Sequence, residues 1–226
     1  MGWSPGFSFA VLAAVFIAYY ALNASLAALL HPGETGLVRL SYVTYALFMA
    51  PLLALGAWLA ARRSGQGSGE LGLVPVPARR LWGWGGLGGL LGAAGNYGLF
   101  LLLCLFVRMI SGKSIESSDA VALRSLQGPW LAVAFVTACI LAPLCEELFF
   151  RGALYASMRC RWGRNAALAA SAAVFALLHF KWEGLPSLFF LGLLFALLYE
   201  KSGSLFPGMV AHSLNNLLAL AILLSF

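Results

Sequence analysis

The chain has 226 residues, 62% of them hydrophobic and 10% charged, and its mean hydropathy is +0.89. Soluble domains average roughly 45–50% apolar and about 25% charged residues, so the composition excludes a water-soluble globule and calls for an integral membrane protein. Fourteen Lys and Arg against eight Asp and Glu leave a net charge of +6, but most of the positive charges fall in short loops between apolar stretches. There they set orientation rather than bind nucleic acid.

About 20 mainly apolar residues cross a bilayer. On that measure spans are expected near 7–30, 40–61, 81–110, 130–158, 164–180, 186–201 and 205–226. The fold class is therefore all-α: a polytopic transmembrane bundle of seven to eight helices, read as one integral membrane domain over 1–226. The first apolar stretch lacks a preceding Lys or Arg and outruns the apolar core of a signal peptide, so it is expected to stay as a membrane helix. The third opens with the Gly-rich run LWGWGGLGGLLGAAG, followed by Asn96. Two readings stand for it: one long tilted helix packed closely through its glycines, or a broken pair. Such small residues let helices pack around or part over a polar cavity.

The stretch 62–80, with four arginines among Gly, Ser and Pro, reads as a cytoplasmic loop. Seven spans put Arg62, Arg63, Arg79, Arg80, Arg159, Arg161, Arg164 and Lys201 on one side. Arg39, Arg108, Lys113, Arg124 and Lys181 fall on the other. The richer side is expected to be cytoplasmic. Trp3, Trp82, Trp84, Trp130, Trp162 and Trp182 lie near span ends and read as interfacial anchors. Cys104, Cys139, Cys145 and Cys160 form no C-x-x-C pair, so neither a disulfide framework nor a zinc knuckle is implied.

Ionisable groups at membrane depth are costly, and those that persist are functional candidates. Six of the eight acids lie in loops or at span ends, which leaves Glu146 and Glu147. With them stand Arg151, His179, His212 and Asn216, all in the last three-eighths of the chain. Glu147 and Arg151 are four apart and can pair on one helix face, while Glu146 turns about 100° away. Phe175 shares a face with His179, and His212 shares one with Asn216, with Asn215 pointing elsewhere. Pro143, just upstream of the acids, is expected to kink its helix and open room at that depth.

These residue types suit water activation and oxyanion stabilisation. A carboxylate and an imidazole converging on one water can take its proton as it attacks a peptide carbonyl, a role that fits Glu146 with His179. A second imidazole and an amide, His212 with Asn216, can donate to the oxygen that gains charge. Glu147, paired with Arg151, is then a structural anchor, and Glu146 the base. Asn23, Asn96 and Arg108 have no evident partner.

The patterns E-E-x-x-x-R (Glu146, Glu147, Arg151), F-x-x-x-H (Phe175, His179) and H-x-x-x-N (His212, Asn216) fall in that order on successive predicted spans. This arrangement resembles the CPBP family of CAAX proteases and bacteriocin-processing enzymes, intramembrane glutamic endopeptidases, over roughly residues 130–220. The resemblance implies Glu146 and His179 as the water-activating pair, Glu147 and Arg151 as supporting residues, His212 and Asn216 as the oxyanion site, and an eight-helix bundle. It implies a peptide or membrane-protein substrate met at the lipid bilayer, with no nucleic acid.

A zinc site of two histidines and a glutamate is chemically reasonable, but H-E-x-x-H is absent, so metal-independent chemistry without a cofactor is expected. A transporter or a membrane immunity or scaffold protein could use the same polar cluster for protons or a ligand. Proton pathways need acids at several depths, however, and one acidic pair favours the protease. The Arg-rich, Ala- and Gly-rich usage points to a multi-pass protein of a prokaryotic cytoplasmic (inner) membrane. No G-x-S-G turn lies in a span, and the only aspartate, Asp119, is in a loop, which sets aside serine and aspartyl intramembrane proteases.

Overall fold

A computed structural model of the chain describes residues 4–64 and 71–225. The expectations for Trp3 and for the middle of the 62–80 loop lie wholly or partly outside these residues. The described residues form eight helices and no strand. They are α1 (Pro5–Leu30), α2 (Glu34–Arg63), α3 (Ala78–Ser111), α4 (Ser118–Arg124), α5 (Pro129–Trp162), α6 (Arg164–Leu177), α7 (Leu185–Ser202) and α8 (Phe206–Ser225). Six are long and apolar enough to cross a membrane, and α6 is a shorter apolar helix. The chain is an integral, multi-pass membrane protein. The eighth helix is the short α4, in the loop between α3 and α5.

α3 is one helix of 34 residues, not a broken pair. At 1.5 Å per residue it is about 50 Å long, well over the ~30 Å hydrocarbon core, and must tilt or project. Its glycines make the close packing possible. A Cβ on Gly89 would meet Leu214 of α8 at 2.7 Å, and one on Gly95 would meet the Phe190 ring of α7 at 2.2 Å. The opposite face of α3, with Leu87, Leu101, Leu102 and Leu105, is exposed, as a lipid-facing surface is.

The main apolar core is built by α1, α2, α5 and α6, with Leu12, Leu53, Phe149, Phe150, Leu154 and Phe175 buried together. α7 presses against α6 at Gly192, where a Cβ would stand 2.9 Å from the Ala172 Cα. Only a residue without a side chain permits that approach.

α5 crosses Pro143 differently from the expected plain kink. A π-helical turn over Thr137–Leu141 precedes the proline, with the Ala142 N–H bonded to the Thr137 carbonyl. The wider turn absorbs the ring that would otherwise strike the carbonyl four residues back. A second π-helical stretch, Leu148–Tyr155, follows the two glutamates.

The charge sorting read from the sequence appears as contacts at two opposite ends of the bundle. At one end Glu200 accepts from Arg159 at 3.0 Å and lies 3.5 Å from Arg164. At the other, Lys181 pairs with Asp119, Arg124 with Glu116, and Ser118 with Glu183. Trp82, Trp162 and Trp182 are exposed near helix ends.

Candidate active site

The two glutamates sit on α5 between its π-helical stretches and turn to different partners. Glu147 is fully buried and accepts from Arg151 Nη1 at 2.8 Å. The same oxygen, Oε1, lies 3.0 Å from His212 Nδ1 on α8. Sequence spacing anticipates the first contact but not the second, which ties α8 to α5 and makes Glu147 the centre of a buried Arg–Glu–His chain. Arg151 also donates through Nη2 to the Gly192 carbonyl at 3.0 Å, and its guanidinium stacks on Phe175 at 4.6 Å and Phe195 at 5.3 Å. The second carboxylate oxygen of Glu147 has no partner and faces Gly208, where a Cβ would approach it to 3.3 Å.

Glu146 turns toward α2, where the Tyr45 hydroxyl donates to its Oε1 at 2.5 Å. Its Oε2 is buried and without a partner. Tyr45 is a residue that sequence reasoning misses; in an apolar span with several tyrosines, nothing in its spacing marks it out.

His179 lies just past the end of α6, on the turn leading to Phe180, whose φ is +53°. Its Nδ1 is 2.7 Å from the Phe175 carbonyl. A carbonyl only accepts, so Nδ1 carries the proton and Nε2 of the neutral ring keeps its lone pair. The Phe175 ring packs at a tilt against the imidazole with centroids 4.6 Å apart, so the F-x-x-x-H spacing has two uses here, a ring contact and a backbone acceptor one turn back. His212 stacks on Phe195 at 4.7 Å, which together with Glu147 fixes its plane.

Asn216 donates through its amide to the Ala138 carbonyl at 2.8 Å, inside the π-helical turn of α5. Asn215 does not point elsewhere. It is buried, lines the same cavity and donates to the Asn216 side-chain oxygen at 3.0 Å. Three residues along a helix amount to about 300°, so Asn215 lies only some 60° from His212.

Two cavities meet at this cluster. One, of about 270 Å³, is lined by Glu146, Phe175, His179, His212, Asn215 and Asn216, and continues past Asn96 and Tyr97 to Ser117, Asp119, Lys181 and Glu183. It therefore reaches the bundle end away from the arginine-rich one. The other, of about 370 Å³, lies between α1, α2 and α5 and is walled by Phe16, Tyr19, Tyr20, Tyr42 and Tyr45. Both touch Glu146 and His179. Glu147 and Arg151 line neither; they stand behind the site. Asn23, unassigned from sequence, accepts from the Thr44 hydroxyl at 2.9 Å and so ties α1 to α2. Among the described residues no three His, Cys, Asp or Glu side chains converge as a metal site requires.

Residues 128–218 match the family model described as Rce1-like, type II CAAX prenyl endopeptidase Rce1-like. The matched segment runs from the start of α5 into α8, contains all three motifs and agrees with the family the motifs resemble. That family is one of CAAX-type membrane proteases. No curated protein and no solved structure matches the chain.

Proposed function

With this Rce1-like segment as the premise, we propose that the protein is an intramembrane endopeptidase that hydrolyses a peptide bond with water activated by Glu146 and His179. The observation that carries the reading is a buried carboxylate oxygen, Glu146 Oε2, left without a partner at the junction of two cavities that both reach His179. An acceptor in that state suits a water molecule.

Glu146 takes a proton from the water as the hydroxide attacks the peptide carbonyl, and His179 Nε2 accepts the water's other hydrogen and orients it. Charge gathers on the carbonyl oxygen. His212, held through Nδ1 by Glu147, donates from Nε2 in its imidazolium form. Glu147 stabilises that cation much as a buried aspartate does for a catalytic imidazolium. Asn216 has one amide hydrogen committed to Ala138 and offers the other. Collapse of the tetrahedral intermediate breaks the C–N bond, and the proton held by Glu146 passes to the departing amine. No metal or cofactor enters this scheme.

The substrate is a peptide or a membrane protein drawn from the bilayer, and the protein acts in a prokaryotic inner membrane. The experiment is a comparison of terminal peptides between membranes holding the wild type and Glu146→Ala at matched levels, in the organism that carries the gene. New termini that vanish with the variant are expected, and they also identify the substrate. Identical terminal profiles would overturn the reading. Equal tolerance of Glu146→Gln and Glu147→Gln would overturn the division into base and anchor.

A further inference from the structure

The matched segment begins only at residue 128, after the N-terminal helices, yet one side chain from α2 touches the carboxylate at the centre of the site. We propose that Tyr45 is a positioning residue for Glu146, and that the first two helices complete the active site by holding it there. The inference rests on the protease reading above.

Three observations at Tyr45 and Glu146 converge on it. The Tyr45 hydroxyl donates to Glu146 Oε1 at 2.5 Å. Glu146 Oε2 is buried without a partner, so the tyrosine occupies one carboxylate oxygen and leaves the other for the reacting water. Tyr45 opens a π-helical turn, Tyr45–Met49, within α2. Such turns shift the register of a helix and recur where a side chain must be aimed at a functional site.

The neighbouring backbone is also restrained. The buried Thr44 hydroxyl donates to Asn23 Oδ1 at 2.9 Å, and Asn23 Nδ2 donates to the Tyr19 carbonyl at 2.9 Å. The Tyr19 ring packs edge-on against Tyr45 with centroids 6.4 Å apart. α1 therefore fixes the residue before Tyr45 and also the side of its ring.

A carboxylate with a free χ3 torsion would present either oxygen to the water and lose alignment. One short, charge-assisted bond from a fixed phenol removes that freedom. Without the hydroxyl, Glu146 keeps its chemistry and loses its aim. Substrate contacts elsewhere in the cavities are untouched.

The test uses purified full-length protein in detergent micelles and a quenched-fluorescent peptide built on a cleavage site found by the terminal comparison. Tyr45→Phe keeps the ring and its packing. It is expected to lower kcat about 10- to 100-fold, the effect of one charge-assisted hydrogen bond, with KM within about twofold of wild type. Its melting temperature should fall by a few degrees at most, since the Glu146 oxygen left unpaired borders both cavities, whereas a purely structural role would move melting and leave kcat alone. In a Glu146→Gln background the same change should have no further effect on residual cleavage, because the group it positions is gone. Wild-type kcat in Tyr45→Phe, with Glu146→Ala inactive, would overturn the Tyr45 proposal alone. Equal cleavage by wild type and Glu146→Ala would instead overturn the protease reading on which it rests.

Discussion

Arg151 and Glu147 form an ion pair whose side chains are 2% and 1% exposed, which makes their energetics testable without a substrate. Arg151→Met removes the 2.8 Å bond to Glu147, the 3.0 Å bond to the Gly192 carbonyl and the stacking on Phe175 and Phe195. The carboxylate then stays buried with His212 as its remaining partner. Removing one member of a buried pair typically costs about 3–5 kcal/mol, because the other charge is left uncompensated. At about 2–4 °C per kcal/mol for a chain of this size, melting should fall by roughly 6–20 °C. Replacing both residues, Glu147→Gln with Arg151→Met, removes the charge along with its partner, and the loss should shrink to about 2 kcal/mol or less. The assay is scanning fluorimetry of purified protein in one detergent at fixed pH for the wild type, both single variants and the double variant. A double variant no more stable than Arg151→Met would refute the reasoning, since the penalty would then lie in lost packing and not in a stranded charge.

Gly192→Ala should destabilise by about 1–3 kcal/mol, because its Cβ would stand 2.9 Å and 3.1 Å from backbone atoms of Ala172, which cannot rotate aside. Gly98→Ala on α3, with nothing within 4 Å, should be neutral or slightly stabilising, and equal melting of the two variants would contradict the close-packing account. EDTA and 1,10-phenanthroline should leave Glu146-dependent cleavage unchanged; loss of activity restored by added zinc would replace the metal-free mechanism. The charge count predicts a cytoplasmic arginine-rich end. A membrane-impermeant maleimide should therefore label an exposed Ser114→Cys in intact spheroplasts and reach the native, exposed Cys160 only after lysis. The reverse pattern would invert the orientation and with it the face from which the first cavity is reached.

The sequence alone determined the class of molecule, because burial in lipid leaves an unambiguous compositional record. Runs of about 20 apolar residues mark helices whatever their packing. It also isolated Glu146, Glu147, Arg151, His179, His212 and Asn216, since polar groups at membrane depth are too costly to be incidental. The Glu147–Arg151 contact was legible too, being local to one helix and set by its pitch. Partners between helices were not. Glu147 meets His212 across 65 positions and Glu146 meets Tyr45 across 101. Such pairings depend on how each helix is rotated against its neighbours. That rotation was hidden by the π-helical turns at Tyr45–Met49, Thr137–Leu141 and Leu148–Tyr155, each of which breaks the 3.6-residue period used to project side chains around an axis. The spacing H-x-x-x-N points Asn215 away from the cavity, although it lies only some 60° around α8 from His212. Whether the Gly-rich third span was whole or broken was likewise decided by tertiary contact. The space over its glycines is taken by Leu214 and Phe190 of other helices, and that packing offsets the low helix propensity of glycine.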